Sequence, residues 1–112
     1  INPTTALARV PNGDLIDGPA GETAREAARE VGRVATATGL DLSPDDAVEA
    51  MAAVARRTAA NRSSMRQDVE AGRRTEIDAI TGAVVARATD PVPVNRTLRD
   101  LVLAWERDRS LR

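Results

Sequence analysis

Ser43-Pro44-Asp45-Asp46-Ala47-Val48-Glu49-Ala50-Met51-Ala52-Ala53-Val54-Ala55-Arg56-Arg57 is the stretch on which the fold turns. It opens with a hydroxyl cap, a proline in the first turn and carboxylates at the positive end of the helix dipole. Behind that start, Val48, Met51, Ala52, Ala55 and Ala59 recur at helical spacing and define one apolar face. Upstream, Ala24, Ala27, Ala28, Val31, Val34, Ala35 and Thr38 form a second such stripe, ending at Gly39, a natural helix stop. Downstream, the polar run Asn61 to Ser64 breaks or bends the pattern, and a short turn with Met65 and Val69 runs to Gly72. Thr75 reads as the N-cap of a fourth helix whose buried face is Ile77, Ile80, Val84, Val85 and Ala88. Asp90-Pro91-Val92-Pro93 stops it, because residues before proline avoid the α region. A last helix carries Val94, Leu98, Leu101, Val102 and Trp105 and dissolves into a charged tail, Glu106 to Arg112. Residues 3–19 read as turn-rich, with Pro11-Asn12-Gly13-Asp14 the clearest turn. No stretch alternates with period two, and there is no internal repeat, so strands are not expected. The expectation is one all-α domain over residues 1–112, of five or six helices.

Composition removes whole classes of chemistry. The chain has no Cys, His, Phe, Tyr or Lys, and Trp105 is its only aromatic residue. Zinc, iron–sulfur and haem sites, and Ser-His or Cys-His nucleophile pairs, are therefore excluded. A lysine Schiff base within the chain is excluded as well. Its 16 positive charges, all Arg, nearly cancel 17 Asp and Glu. That balance and a pI near 5.5 argue against nucleic acid, which selects a basic face. Without cysteine no disulfide framework exists, and a cytoplasmic location is expected. No apolar run is long enough for a membrane span, and nothing resembles a signal peptide.

The apolar fraction is 42%, but Ala supplies 21 of those residues. The larger side chains contribute roughly 1.5–3 kcal/mol each when buried, against about 1–2 kcal/mol of backbone entropy per ordered residue. The margin is thin, so part of the apolar surface is expected to face another domain or subunit. A GC-rich coding sequence is the competing explanation for the alanines. The opening Ile1-Asn2-Pro3, without Met, reads as the start of a piece of a longer protein.

Local physics leaves the candidate site residues open. Gly18-Pro19-Ala20-Gly21 follows no strand and contains a proline, so it reads as a loop and not a phosphate cradle. Asn2 fits a helix start and Asn12, before Gly13, a left-handed turn position; the alternative to these structural roles is a carboxamide aimed at a small polar ligand. Ser at 63 and 64 fits a cap. Glu76 fits a first-turn acid, a place that keeps a carboxylate ionised and accepting hydrogen bonds.

The string Ser63-Ser64-Met65-Arg66-Gln67-Asp68, then Gly72-Arg73, then Thr75-Glu76-Ile77-Asp78-Ala79-Ile80-Thr81-Gly82, is long and unusual. With Ile1-Asn2-Pro3-x-Thr5-Ala6, Asn12-Gly13-Asp14-Leu15 and Pro93-Val94-Asn95, it closely resembles the C-terminal domain of the ketopantoate reductase (2-dehydropantoate 2-reductase) family. The resemblance spans essentially the whole chain, including the twelve-residue spacing from Ser64 to Glu76. It implies a helical domain of the 6-phosphogluconate-dehydrogenase-like type, partnered by an N-terminal Rossmann domain that holds NADPH. It implies reduction of ketopantoate, a small 2-oxo acid, to D-pantoate on the route to pantothenate and coenzyme A. By position, Asn2 and Asn12 match Asn residues on the substrate side of the cleft, and Ser64 matches the Ser that binds the substrate carboxylate. Glu76 matches a cleft Glu that contacts substrate or cofactor and the catalytic Lys. That general-acid Lys, and a further Asn, belong upstream of Ile1. Thr81 stands where Asn is common, and the stretch between Gly82 and Pro93 is shorter than the family pattern. A reductase of another small 2-oxo acid, or a non-catalytic helical module forming a homodimer, would carry the same helical patterning.

Overall fold

The computed structural model describes all 112 residues and contains helices and turns only. In chain order these are α1 (Asn2–Ala8), α2 (Asp14–Asp17), α3 (Ala20–Ala37), α4 (Pro44–Arg57) and α5 (Ser64–Glu70). A π-helical turn, Asp78–Gly82, then runs into α6 (Ala83–Arg87), and α7 (Pro93–Asp108) ends the fold. The all-α reading therefore holds. Two short helices, α1 and α2, occupy the stretch read as turns. α1 begins at Asn2-Pro3, where proline suits a first turn, but its Thr pair and short length give no stripe to recognise.

The expected start and stop signals are seen in place. Ser43 closes a capping box on α4, accepting from the Asp46 N–H at 3.0 Å while its own N–H reaches the Asp46 carboxylate. Gly39 and Gly72 lie at φ +91° and +69°, where a Cβ would be strained, and each closes a Schellman turn. Leu40 N–H returns to the Ala35 carbonyl at 2.9 Å, and Arg73 N–H to that of Asp68 at 2.8 Å.

α3 is the spine: α4 packs along one side of it, and α1, α2, α6 and α7 meet it elsewhere. The molecule measures 37 × 30 × 19 Å. Since a helix with its side chains is about 10 Å across, it is only two helices deep. The core is correspondingly small. Ala6, Met65, Val69, Ile77 and Val102 form one cluster, and Leu15, Ala24 and Ala55 another. Small residues let the backbones approach. A Cβ on Gly32 would lie 2.5 Å from the Cα of Pro44, so α3 and the start of α4 touch there with no side chain between them. Gly32→Ala is expected to push the two helices apart and to destabilise the fold by about 1–3 kcal/mol, measured by urea unfolding. An unchanged midpoint would contradict that close approach.

Several side chains depart from the stripes. Ile80 is 37% exposed, while Thr81 beside it is buried, because the π-helical turn rotates the face that the spacing predicts. Thr38 and Ala59 are also exposed. Glu106, read as part of a charged tail, is instead fully buried within α7. Gly21, read as loop, lies buried in the first turn of α3.

Candidate functional site

The first turns of α1 and α5 are stitched together. The hydroxyls of Thr5 and Ser63, both buried, lie 2.7 Å apart. Ser63 Oγ also accepts the Arg66 N–H at 3.1 Å, so Ser63 is the cap of α5. Ser64, the next residue, is exposed and its hydroxyl is free of that duty. Ser63 alone is thus the cap, which local physics had left open between the two serines.

Paired charges flank Ser64 along the chain. Arg62 and Arg66 both bond the Glu70 carboxylate, each at 2.7 Å. The hydrogen bond from Arg66 is the main reason the Glu70 carboxyl is held below its ordinary value; burial opposes it, and the charges of Arg66 and Arg62 add to it. Two guanidiniums therefore share the Glu70 carboxylate, and Asp68, one turn after Ser64, pairs with Arg73 at 3.2 Å.

Asn2 is the first residue of α1 and is half-buried. Its carbonyl lies 3.3 Å from Thr5 Oγ1, which joins it through the Thr5–Ser63 pair to the start of α5. Asn12 reaches the same segment from the other side. Its N–H bonds the Asn61 carbonyl at 3.0 Å, and its Nδ2 donates to Thr58 Oγ1 at 3.0 Å. The Thr58 hydroxyl in turn donates to the Val54 carbonyl at 2.7 Å. Asn12 is only 7% exposed, and its Oδ1 is enclosed without a partner. Asn12 does not take the left-handed conformation expected before glycine; the positive-φ residues other than glycine are Arg9 and Ser110. Gly13 is instead required by proximity, since a Cβ there would stand 2.9 Å from that of Ala59.

Glu76 is exposed and forms no ion pair. Its neighbours hold it in place. Thr75 donates both its N–H (2.7 Å) and its hydroxyl (2.8 Å) to Glu106 Oε1, while Ile77 is buried against Ala6 and Met65. Thr75 Oγ1 also receives the Ile77 N–H at 3.2 Å, but the helical turn starts at Ile77 without a side-chain cap, so Thr75 sits just ahead of the N-cap position expected of it. Segments bearing all four candidate residues therefore converge on the α1–α5 junction. Their side chains divide: Ser64 and Glu76 exposed, Asn2 half-buried, Asn12 enclosed.

The comparisons with known proteins follow the same lines. Residues 1–106 match the family model described as "Ketopantoate reductase PanE/ApbA C terminal". The chain belongs to this family. It is 52% identical to a 2-dehydropantoate 2-reductase of Halobacterium salinarum, over 96% of this chain and 37% of that protein. It is 43% identical to one of Archaeoglobus fulgidus, over 95% of this chain and 36% of that one. The chain thus spans little more than a third of the length of these ketopantoate reductases. A crystal structure of a PanE/ApbA family ketopantoate reductase from Ralstonia eutropha JMP134 superposes with a TM-score of 0.85 at 34% identity, covering 97% of this chain and 38% of that one. A D-mandelate dehydrogenase shares the fold, with a TM-score of 0.86 at 22% identity over 99% of this chain and 64% of that one. The family's helical domain is therefore what these residues build.

Two carboxylates escaped the sequence reading as structural elements, although a signal existed for each. Glu106 lies four residues after Val102, on the buried face of α7, and Glu30 lies between Ala27 and Val34 on the stripe of α3. An acid on an apolar stripe marks a buried acceptor whose donors come from elsewhere in the fold.

Proposed function

We propose that this chain is the substrate-binding helical part of an NADPH-dependent 2-dehydropantoate 2-reductase located in the cytoplasm. The observation that carries this reading is the division of labour at α5. Ser63 caps the helix, and Ser64 at its first position leaves an exposed hydroxyl that bonds no group of the chain. That arrangement suits the carboxylate of a small 2-oxo acid. Asn2 and Glu76 can orient the remaining polar groups of the substrate, with Glu76 accepting from a hydroxyl, from a cationic side chain or from the cofactor. Asn12 holds the 58–61 segment, and its unpartnered Oδ1 is an acceptor that a substrate or domain contact would satisfy.

The residues here do not fit the phosphates of a dinucleotide. The chain has no strand, and Gly18-Pro19 leads directly into α3, so no glycine-rich strand-to-helix turn exists. Cofactor binding therefore falls to a Rossmann domain of the longer protein, and the nicotinamide would supply the hydride for the C2 ketone. What these side chains contribute is orientation, holding the carboxylate so that the ketone faces one direction. The alkoxide forming at the ketone oxygen calls for a cation that can also deliver a proton; a guanidinium does not release one, and no Lys lies within the 112 residues. The polypeptide of residues 1–112 alone is accordingly expected not to oxidise NADPH in the presence of ketopantoate; turnover above background would refute this.

In the full-length protein, Ser64→Ala removes a hydrogen bond to a charged group. Such a bond contributes about 1.5–3 kcal/mol, so kcat/KM for the 2-oxo acid should fall roughly 10- to 150-fold. Glu76→Ala should also lower kcat/KM. Unchanged efficiency in both variants would remove this site assignment. A panel of 2-oxo acids, each assayed with NADPH and NADH, separates ketopantoate from other substrates of the same shape.

A further inference from the structure

We propose that the buried Thr5–Ser63 hydroxyl pair is a positioning device that sets the substrate-facing ends of α1 and α5 relative to each other. This rests on the reading of Asn2 and Ser64 as substrate-binding residues. The two helices reach the site independently, since 58 positions of chain separate Thr5 from Ser63. A single polar link joins their first turns. Thr5 is fully enclosed and Ser63 is 5% exposed, so water does not compete for either hydroxyl.

The protons in this group can all be placed. Ser63 Oγ accepts the Arg66 N–H at 3.1 Å, and Thr5 Oγ1 stands 2.9 Å from the Ile1 carbonyl. If Thr5 donates to that carbonyl, the Ser63 proton is left to bridge the 2.7 Å gap to Thr5. Each hydroxyl then donates once and accepts once, along a line from the backbone of α5 to the Ile1 carbonyl, which also takes the Thr5 N–H at 3.1 Å. Such a satisfied buried network has one good geometry, and its failure leaves orphaned groups.

Its ends carry the proposed ligands. Asn2 lies three residues before Thr5 on the same helical face, with its carbonyl 3.3 Å from the Thr5 hydroxyl. Ser64 directly follows Ser63. Loss of the pair lets the two helix starts slide, so the carboxamide of Asn2 and the hydroxyl of Ser64 no longer span one substrate. A displacement near 1 Å is enough to weaken a two-point contact severely.

The test uses the full-length reductase with Thr5→Val, which keeps the shape and removes the hydroxyl, and Thr5→Ser, which restores it. Thr5→Val is expected to raise KM for the 2-oxo acid about tenfold, with KM for NADPH unchanged within about twofold. Thr5→Ser should return the 2-oxo acid KM close to its original value. Ser63→Ala should show the same split, and the double variant should be no worse than the weaker single one, because the two hydroxyls act as a unit. If Thr5→Val does not fold, Ser63→Ala against the Thr5→Ser chain carries the same comparison. An unchanged 2-oxo acid KM in Thr5→Val, while Ser64→Ala is impaired, overturns the proposal. So does a parallel rise of both KM values with a lowered Tm, which is the mark of a merely structural bond. Ser64→Ala without effect would instead overturn the substrate-site reading beneath it.

Discussion

Glu106→Ala is expected to lower the unfolding free energy by about 3–5 kcal/mol, the largest single loss in the chain. The carboxylate is fully buried, and its two oxygens serve separate partners. Oε1 accepts the N–H and hydroxyl of Thr75, and Oε2 accepts Arg112 Nε at 2.6 Å. Arg112 continues to Asp78 at 2.7 Å, so Glu106 and the Arg112 it holds tie the end of α7 to both sides of Glu76. Removing it orphans a buried N–H and strips Arg112 of its main partner. With typical stabilities of about 5–15 kcal/mol, a loss of this size leaves the domain near unfolding. Urea unfolding followed by the fluorescence of Trp105 would measure it, and a loss below about 1 kcal/mol would show that the buried carboxylate is not an anchor.

The same residue gives a pH dependence. Burial pushes the Glu106 carboxyl upward, but bonds from the Thr75 N–H, Arg112 and the Thr75 hydroxyl outweigh it, aided by the Arg112 charge, and hold it below its ordinary 4.5. Over the range between the folded and the unfolded value, the unfolded chain binds the extra proton, so stability rises with pH. The contribution is fully present above the ordinary value and fades as pH falls through the lower, folded one. Glu106→Gln should therefore narrow its stability gap from the parent protein in acid, and hold a constant gap toward neutrality. A gap that widened in acid would contradict the assignment.

Glu30→Ala is expected to be nearly as damaging, by about 3 kcal/mol. Glu30 is 2% exposed and sits in the middle of α3, yet its partners are the first residues of α7. It accepts the N–H groups of Val94 (3.0 Å) and Asn95 (2.8 Å) and the Asn95 carboxamide (2.8 Å). α7 has no side-chain cap of its own, so this distant acid performs the task that a local Ser or Asp performs elsewhere. Each orphaned donor costs about 1–3 kcal/mol in a buried place. Hydrogen exchange should show the Val94 and Asn95 amides losing protection first in Glu30→Ala. If they stay as protected as in the parent, the cap lies elsewhere.

These two acids mark the boundary of what the chain reveals when read alone. Ser43, Gly39 and Gly72 were legible because a cap or a stop acts through atoms a few residues away. The stripes through Ala24, Val48 and Met65 were legible because helical spacing is local too. Motif order and spacing likewise pointed to the family. The structure adds that Ser63, and not Ser64, caps α5, and that Asn12 is enclosed against Thr58. Neither was readable, since adjacent serines share one local environment and the partner of Asn12 lies 46 positions away.

What the sequence determined by itself is the helical class, the main breaks between helices and the family pattern, all set by interactions within a turn or two. Tertiary structure alone decided how Glu30, Glu106, Thr5 and Ser63 are used. Buried polar groups must find partners, and in a fold only two helices deep those partners come from whichever distant segment packs against them.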